Sequence, residues 1–217
     1  MSQKKDNKIN ESFTRVGDYP SYINNRKDYN QFNVFACGST AELIESKIFN
    51  NPHQSFHLRE LSRLTNSSTT AVSKSIEELQ KQRIIKVNQD AITKEIIADL
   101  ESPTYRYHKL IYNLHELFKN NIIDLFKVHF HNPECIVLFG SFAKGEDIEE
   151  SDIDILLVSS LKEPKYKELY NKFMKSIEKE FNRKINLHIL PSLEKSEKEF
   201  KNAVANGIVL YGYLKVI

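Results

Sequence analysis

Asp152 and Asp154 stand one residue apart at the head of the apolar run Ile153-Asp154-Ile155-Leu156-Leu157-Val158. On a strand, residues two apart project to the same face, so both carboxylates point one way while Ile153 points into a core. Two hard oxygen donors on one face suit Mg²⁺ (or Mn²⁺), above all beside a phosphate. Upstream, Cys135-Ile136-Val137-Leu138-Phe139 is a continuous apolar run that ends at Gly140-Ser141. Such a run reads as a strand buried on both faces. A glycine at its end lets a phosphate approach the backbone, and the next hydroxyl and the N–H groups can hold phosphate oxygens. A helix opening at Ser141 would aim its positive end at the same anion. Lys144 would meet a triphosphate as a point charge. Asp152 and Asp154 are therefore the candidate catalytic and metal residues, and Gly140, Ser141 and Lys144 the candidate nucleotide-binding residues. The chemistry expected is attack of a hydroxyl on an α-phosphate, with pyrophosphate leaving in line.

The segment FGSFAKGEDIEESDIDILLV, residues 139–158, resembles the signature of the DNA polymerase β nucleotidyltransferase superfamily. In its minimal members a hydrophobic residue, Gly, and Gly or Ser are followed by a spacer and Asp-hydrophobic-Asp. The similarity extends loosely from residue 107 to the end. The resemblance implies transfer of a nucleoside monophosphate from an NTP, with ATP the expected substrate and two metal ions held by the aspartate pair. It implies an acceptor hydroxyl on a protein, an RNA or a small molecule. Many members add a third carboxylate from a following strand. Here the counterpart is Lys184-Ile185-Asn186-Leu187-His188-Ile189, with Asn186 in the expected place. An amide can ligate through its oxygen but carries no charge and cannot act as a base. His188 lies on the same face and either takes a proton or is an ordinary strand-end histidine. Three readings stay open: an active nucleotidyltransferase, a DNA-binding regulator whose weakened or inactive transferase domain senses nucleotide, and an antitoxin-like protein, since small members pair with toxins and nucleotidylate them.

The elements that must position these residues are legible from periodicity. Ser39 and Glu42 form a capping box ahead of Leu43, Ile44 and Ile48. Ser55 is the expected cap of a short helix carrying Leu58, Leu61 and Leu64. Ser68 is the expected cap of a third helix, whose stripe Val72, Ile76, Leu79 has helical spacing. Ile84–Val87 and Glu95–Ala98 form a hairpin about Asn88-Gln89-Asp90. After Pro103, Tyr107, Leu110, Ile111, Leu114 and Phe118 trace a long amphipathic helix, and Ile122, Leu125, Phe126 and Phe130 a second. Tyr166, Leu169, Tyr170, Phe173, Ile177 and Phe181 trace a helix between the second and third strands. The third strand, Ile185 to Leu190, sets Ile185, Leu187 and Ile189 on one face and Asn186 and His188 on the other. A helix with Phe200, Ala203 and Val204 is expected to stop at a left-handed Gly207, before the apolar run Ile208–Tyr211.

The expected architecture is α+β. A flexible arm spans 1–34, a winged helix-turn-helix domain 35–103, and a nucleotidyltransferase-like α/β domain with a short mixed sheet flanked by helices 104–217. Leu58 to Ala98 resembles a winged-helix DNA-binding domain, in which the third helix enters the major groove. Thr69, Thr70, Ser73 and Lys74 would then face DNA, with Arg59, Arg63 and Lys86 toward phosphates. Residues 35–105 hold eight Lys/Arg against nine Asp/Glu, less basic than phosphate neutralisation favours; Lys4, Lys5 and Lys8 of the arm could add contacts. Winged helices also serve protein interaction, and a homodimer is expected only by analogy.

Composition is globular, with 40% hydrophobic and 28% charged residues and a net charge of +2. No apolar run is long enough to span a membrane, and MSQKKDNKIN lacks a signal-peptide core. Cys37 and Cys135 have no metal-like spacing, and the histidines at 53, 57, 108, 115, 129 and 131 form no zinc pattern. A reduced, cytoplasmic setting is expected.

Overall fold

The computed structural model describes residues 39–89, 94–160, 171, 173–175, 177–178 and 183–215. The expected arm with its lysines, Cys37, the turn at Asp90, and Tyr166, Leu169, Tyr170 and Phe181 lie outside the described residues.

Helix α1 (Thr40–Asn50) begins with the expected capping box, Ser39 Oγ accepting from Glu42 N at 3.2 Å. Helix α2 (Leu58–Leu64) starts later than the hydroxyl of Ser55 suggests: its N-cap is His57, whose N–H is taken by Glu60 Oε2 at 3.2 Å. The delay has a backbone cause. Phe56 exchanges both of its main-chain hydrogen bonds with Ile96 (2.9 and 2.8 Å), which keeps the chain extended through that residue. Helix α3 (Thr69–Lys81) is capped by Ser68 and buries Val72, Ile76 and Leu79 as the spacing predicts. Strands β1 (Ile85–Gln89) and β2 (Lys94–Ala98) pair antiparallel. One core joins these pieces, from Ile44, Ile48 and Phe49 through Leu61, Val72 and Ile76 to Ile85, Ile96 and Tyr105.

Helix α4 (Pro103–Lys119) has Ser102 as its cap and Pro103 at its first position, where a missing N–H costs nothing. Its face differs in part from the expected one: Leu110 and Leu114 are half-buried, the latter against the second core. The buried residues are Tyr105, Lys109, Asn113 and Leu117, whereas Tyr107, Ile111 and Phe118 are 66%, 46% and 52% exposed. Polar residues turn inward here because they meet polar partners, described below. Tyr105 belongs to the first core and Leu117 to the second, so α4 runs from one to the other. Helix α5 (Ile122–His129) follows a left-handed Asn121.

Strands β3 (Cys135–Phe139), β4 (Ile153–Val158), β5 (Ile185–Leu190) and β6 (Ile208–Gly212) form a sheet in the order β5-β4-β3-β6. It is mixed: β3 is antiparallel to β4 and β6, and β4 is parallel to β5. All five residues of β3 are buried. One sheet face carries Ile136, Leu138, Ile153, Ile155 and Ile185 against Ile122, Phe126 and Phe173. The other carries Val137, Phe139 and Leu156 against Leu193 and Val204, the latter from helix α6 (Lys198–Ala205). Gly207 is not a left-handed stop. Among the described glycines, positive φ is found at 140, 145 and 212, and a Cβ at Gly207 would meet the Leu138 carbonyl, so this glycine serves the close passage of the chain over β3.

Candidate functional site

At the end of β3 the chain turns at Gly140 with φ +76°, a conformation that costs a side-chain-bearing residue strain. The pairing Phe139↔Asp154 brings β4 alongside. A Cβ at Gly140 would be driven into Asp154 Oδ2, so the absent side chain makes the room in which that carboxylate lies. Ile153 is fully buried, Asp154 beside it is half-buried, and Asp152, just ahead of the strand, is exposed. In the parallel register Asn186 stands directly across from Asp154. Its Nδ2 donates to Asp154 Oδ1 at 2.9 Å. His188, two residues on, packs its ring 5.6 Å from Phe139 and 5.0 Å from Phe200. Gly140, Asp154 and Asn186 are thus brought together, with His188 on the Asn186 face of β5 and Asp152 just ahead of β4.

The segment after Ser141 is not the helix that its position suggests. It makes one 3₁₀ turn, Phe142–Lys144, ended by a left-handed Gly145. The Ser141 carbonyl accepts from both Lys144 N and Glu146 N at 3.0 Å. One turn sums too few peptide dipoles to focus charge on an anion. Phe142 and Ala143 are buried, whereas Lys144 is exposed on this turn.

What fixes the loop is a buried ionic group that sequence reading missed. Asp147 is buried, with Oδ2 at 3.0 Å from Arg183 Nη1 and 3.4 Å from Lys109 Nζ. Asn113 Nδ2 donates to Asp147 Oδ1 at 2.8 Å and to the Phe142 carbonyl at 3.0 Å. Lys109 Nζ also donates to the Asp147 carbonyl, and Arg183 Nη1 to the carbonyl of Ile148 at 2.8 Å. Burial pulls the Lys109 ammonium below its ordinary value, while Asp147 opposes that pull. Stranding a charge in such a group costs about 3–5 kcal/mol. The available signal was the spacing of Tyr105, Lys109, Asn113 and Leu117, four apart on one helical face.

On α3, Thr69, Thr70 and Lys74 are exposed and Ser73 is half-buried. Arg59 and Arg63 are exposed. Lys86 is committed elsewhere: its ammonium lies 2.9 Å from Asp99 and 3.5 Å from Glu101. The hydrogen bond it donates to Asp99 holds it above the usual lysine range.

Asp154 takes the Asn186 amide on one oxygen and turns the other toward Gly140, and Asp152 stands just ahead of β4. Among the described residues no group of three His, Cys, Asp or Glu side chains is gathered for a metal ion. Two carboxylates would suit Mg²⁺ only together with substrate phosphates.

Residues 120–214 match the family model Polymerase beta, Nucleotidyltransferase. No curated protein matches the chain. Among solved structures, the chain is similar to one from the crystal structure of the toxin-antitoxin with AMP-PNP. The identity is 22%, the TM-score 0.36, and the match covers 43% of this chain and 73% of that one. It is also similar to a chain from the toxin-antitoxin MntA-HepT, at 21% identity and TM-score 0.32, over 46% of this chain and 72% of that one.

Proposed function

Starting from a nucleotidyltransferase-type domain in residues 120–214, we propose that this protein binds a Mg-NTP, with ATP the first candidate. It transfers the nucleoside monophosphate to an acceptor hydroxyl on a protein or RNA. The observation that carries the reading is the carboxylate of Asp154 seated over Gly140, with Asp152 just ahead of the same strand. Asp152 and Asp154 would hold the ion, and the backbone at Gly140 and Ser141, with Lys144, the phosphates. When bound, the ion supplies charge neutralisation at the phosphates and activation of the attacking hydroxyl. The chain's own share is positional. Gly140 makes room for the Asp154 carboxylate, and Asn186 fixes its direction. Asn186 has no means of accepting the hydroxyl proton.

Calorimetric titration with Mg-ATP is the first test: heat of binding for the native protein and none for Asp152→Ala/Asp154→Ala. Incubation with α-labelled NTPs and candidate protein or RNA acceptors follows. Binding without any labelled product under any metal would remove the transferase reading.

That outcome would favour the second reading, a DNA-binding regulator in which nucleotide is sensed and not consumed. Two observations speak for it. The amide at 186 replaces a base, and α3 presents Thr69, Thr70 and Lys74 outward beside a hairpin, as a winged helix would. Selection on random DNA with and without ATP tests it; failure to enrich any sequence counts against it.

A further inference from the structure

We propose that this site takes one divalent ion and not two, that the ion enters together with the triphosphate, and that Asn186 is the residue that excludes a second. The inference rests on the Mg-NTP reading above and concerns what that site can hold.

One oxygen of Asp154 is engaged by Asn186, and the other lies on the Gly140 side. Oδ1 receives the Asn186 amide at 2.9 Å, and Oδ2 lies over Gly140, where no side chain fits. The register keeps Asn186 beside Asp154, because the two residues face each other across parallel strands. A second cation on the Asn186 side of Asp154 would therefore meet N–H donors and be repelled. Turning the amide would offer a carbonyl oxygen, but a neutral one, and would forfeit a charge-assisted hydrogen bond. Among the described residues no group of three His, Cys, Asp or Glu side chains is gathered to hold a metal ion. Asp152 and Asp154 alone leave an ion short of ligands, and Mg²⁺ is reluctant to shed its water for so few. Triphosphate oxygens complete the set. Ion and nucleotide then raise each other's affinity by the same factor, as linkage requires.

The test counts Mn²⁺ bound to the full chain by the loss of its free-ion paramagnetic resonance signal. It is run with no nucleotide and with non-hydrolysable analogues of ATP, GTP, CTP and UTP. The expected result is one Mn²⁺ per chain with a bound analogue, and at least tenfold weaker binding without it. Asn186→Asp, an exposed substitution, should take two ions with the analogue and bind Mn²⁺ at least tenfold more tightly without it. Two ions on the native protein, equal affinity with and without analogue, or a single ion on the Asn186→Asp variant would each overturn the inference. Absence of any analogue binding would instead sink the Mg-NTP reading itself, a separate and recognisable result.

Discussion

Gly140 shows how much of the site depends on a missing side chain. Its positive φ and the carboxylate lying over its Cα both forbid a methyl group. Gly140→Ala should cost about 1–3 kcal/mol through backbone strain and push Asp154 off Asn186. Thermal melts will register the first effect, and calorimetry with Mg-ATP should show at least a tenfold loss of affinity. A second residue carries a pH signature. His129 stacks on Phe173 at 4.0 Å, with the rings nearly parallel. Burial, with His131 nearby, holds its imidazole below the ordinary histidine value. Between that lowered value and the unfolded value near ~6.5, the unfolded chain binds a proton that the folded one lacks. Stability is thus complete above about pH 6.5 and falls as the pH drops toward the folded value. Melts across pH 5 to 8 (about the histidine range) should show this slope, and His129→Phe should flatten it.

Among the elements, α4 departs furthest from its sequence pattern. Lys109→Met would leave Asp147 with Arg183 as its remaining cation, so the expected loss is smaller than the ~3–5 kcal/mol of stranding a buried charge, measured by denaturant unfolding. The variant should also loosen residues 141–151, visible as faster amide exchange there. Periodicity marked this helix correctly in extent but only in part in face. The count of apolar positions favours Tyr107, Ile111 and Phe118, yet the side chains that go in are those with partners waiting: Lys109 and Asn113 for Asp147, Tyr105 and Leu117 for the two cores. A pairing between residues 38 and 34 positions apart leaves no local trace. The same limit hid the Phe56–Ile96 bridge that delays α2. Local signals with local causes read true: the capping box at Ser39, the cap at Ser68, the stripe on α3, and the alternation along β5 that sets Asn186 and His188 apart from Ile185 and Leu187. Of the site, the place of Asn186 beside Asp154 was legible. The helix expected at Ser141 was not found, because Gly145 and the anchored Asp147 turn the chain away after one turn.

For the whole molecule, the two candidate activities have separable tests. Lys74→Ala on α3 should weaken DNA binding across sequences and lower its salt slope by about one, with Mg-ATP titration unchanged. Asp152→Ala/Asp154→Ala should do the reverse in direct binding, so that any loss of DNA affinity in that variant appears only when nucleotide is present. Among the described residues no helix is long and apolar enough to cross a membrane. Cys135 is a buried thiol whose pKa is raised by its burial.

The anchoring of Asp147 also governs where the chain can be cut. A fragment beginning at residue 120, where the family match starts, keeps every carboxylate of the site yet discards Lys109 and Asn113. Asp147 would then keep Arg183 but lose the other two groups that now share its burial. Such a piece should be soluble only in part and unfold without a sharp transition. One beginning at Ser102 keeps the cap and the whole of α4 and should melt cooperatively. The smallest autonomous body is set by an ion pair that reaches back to α4, and limited proteolysis should find its lasting boundary before Pro103 and not at residue 120.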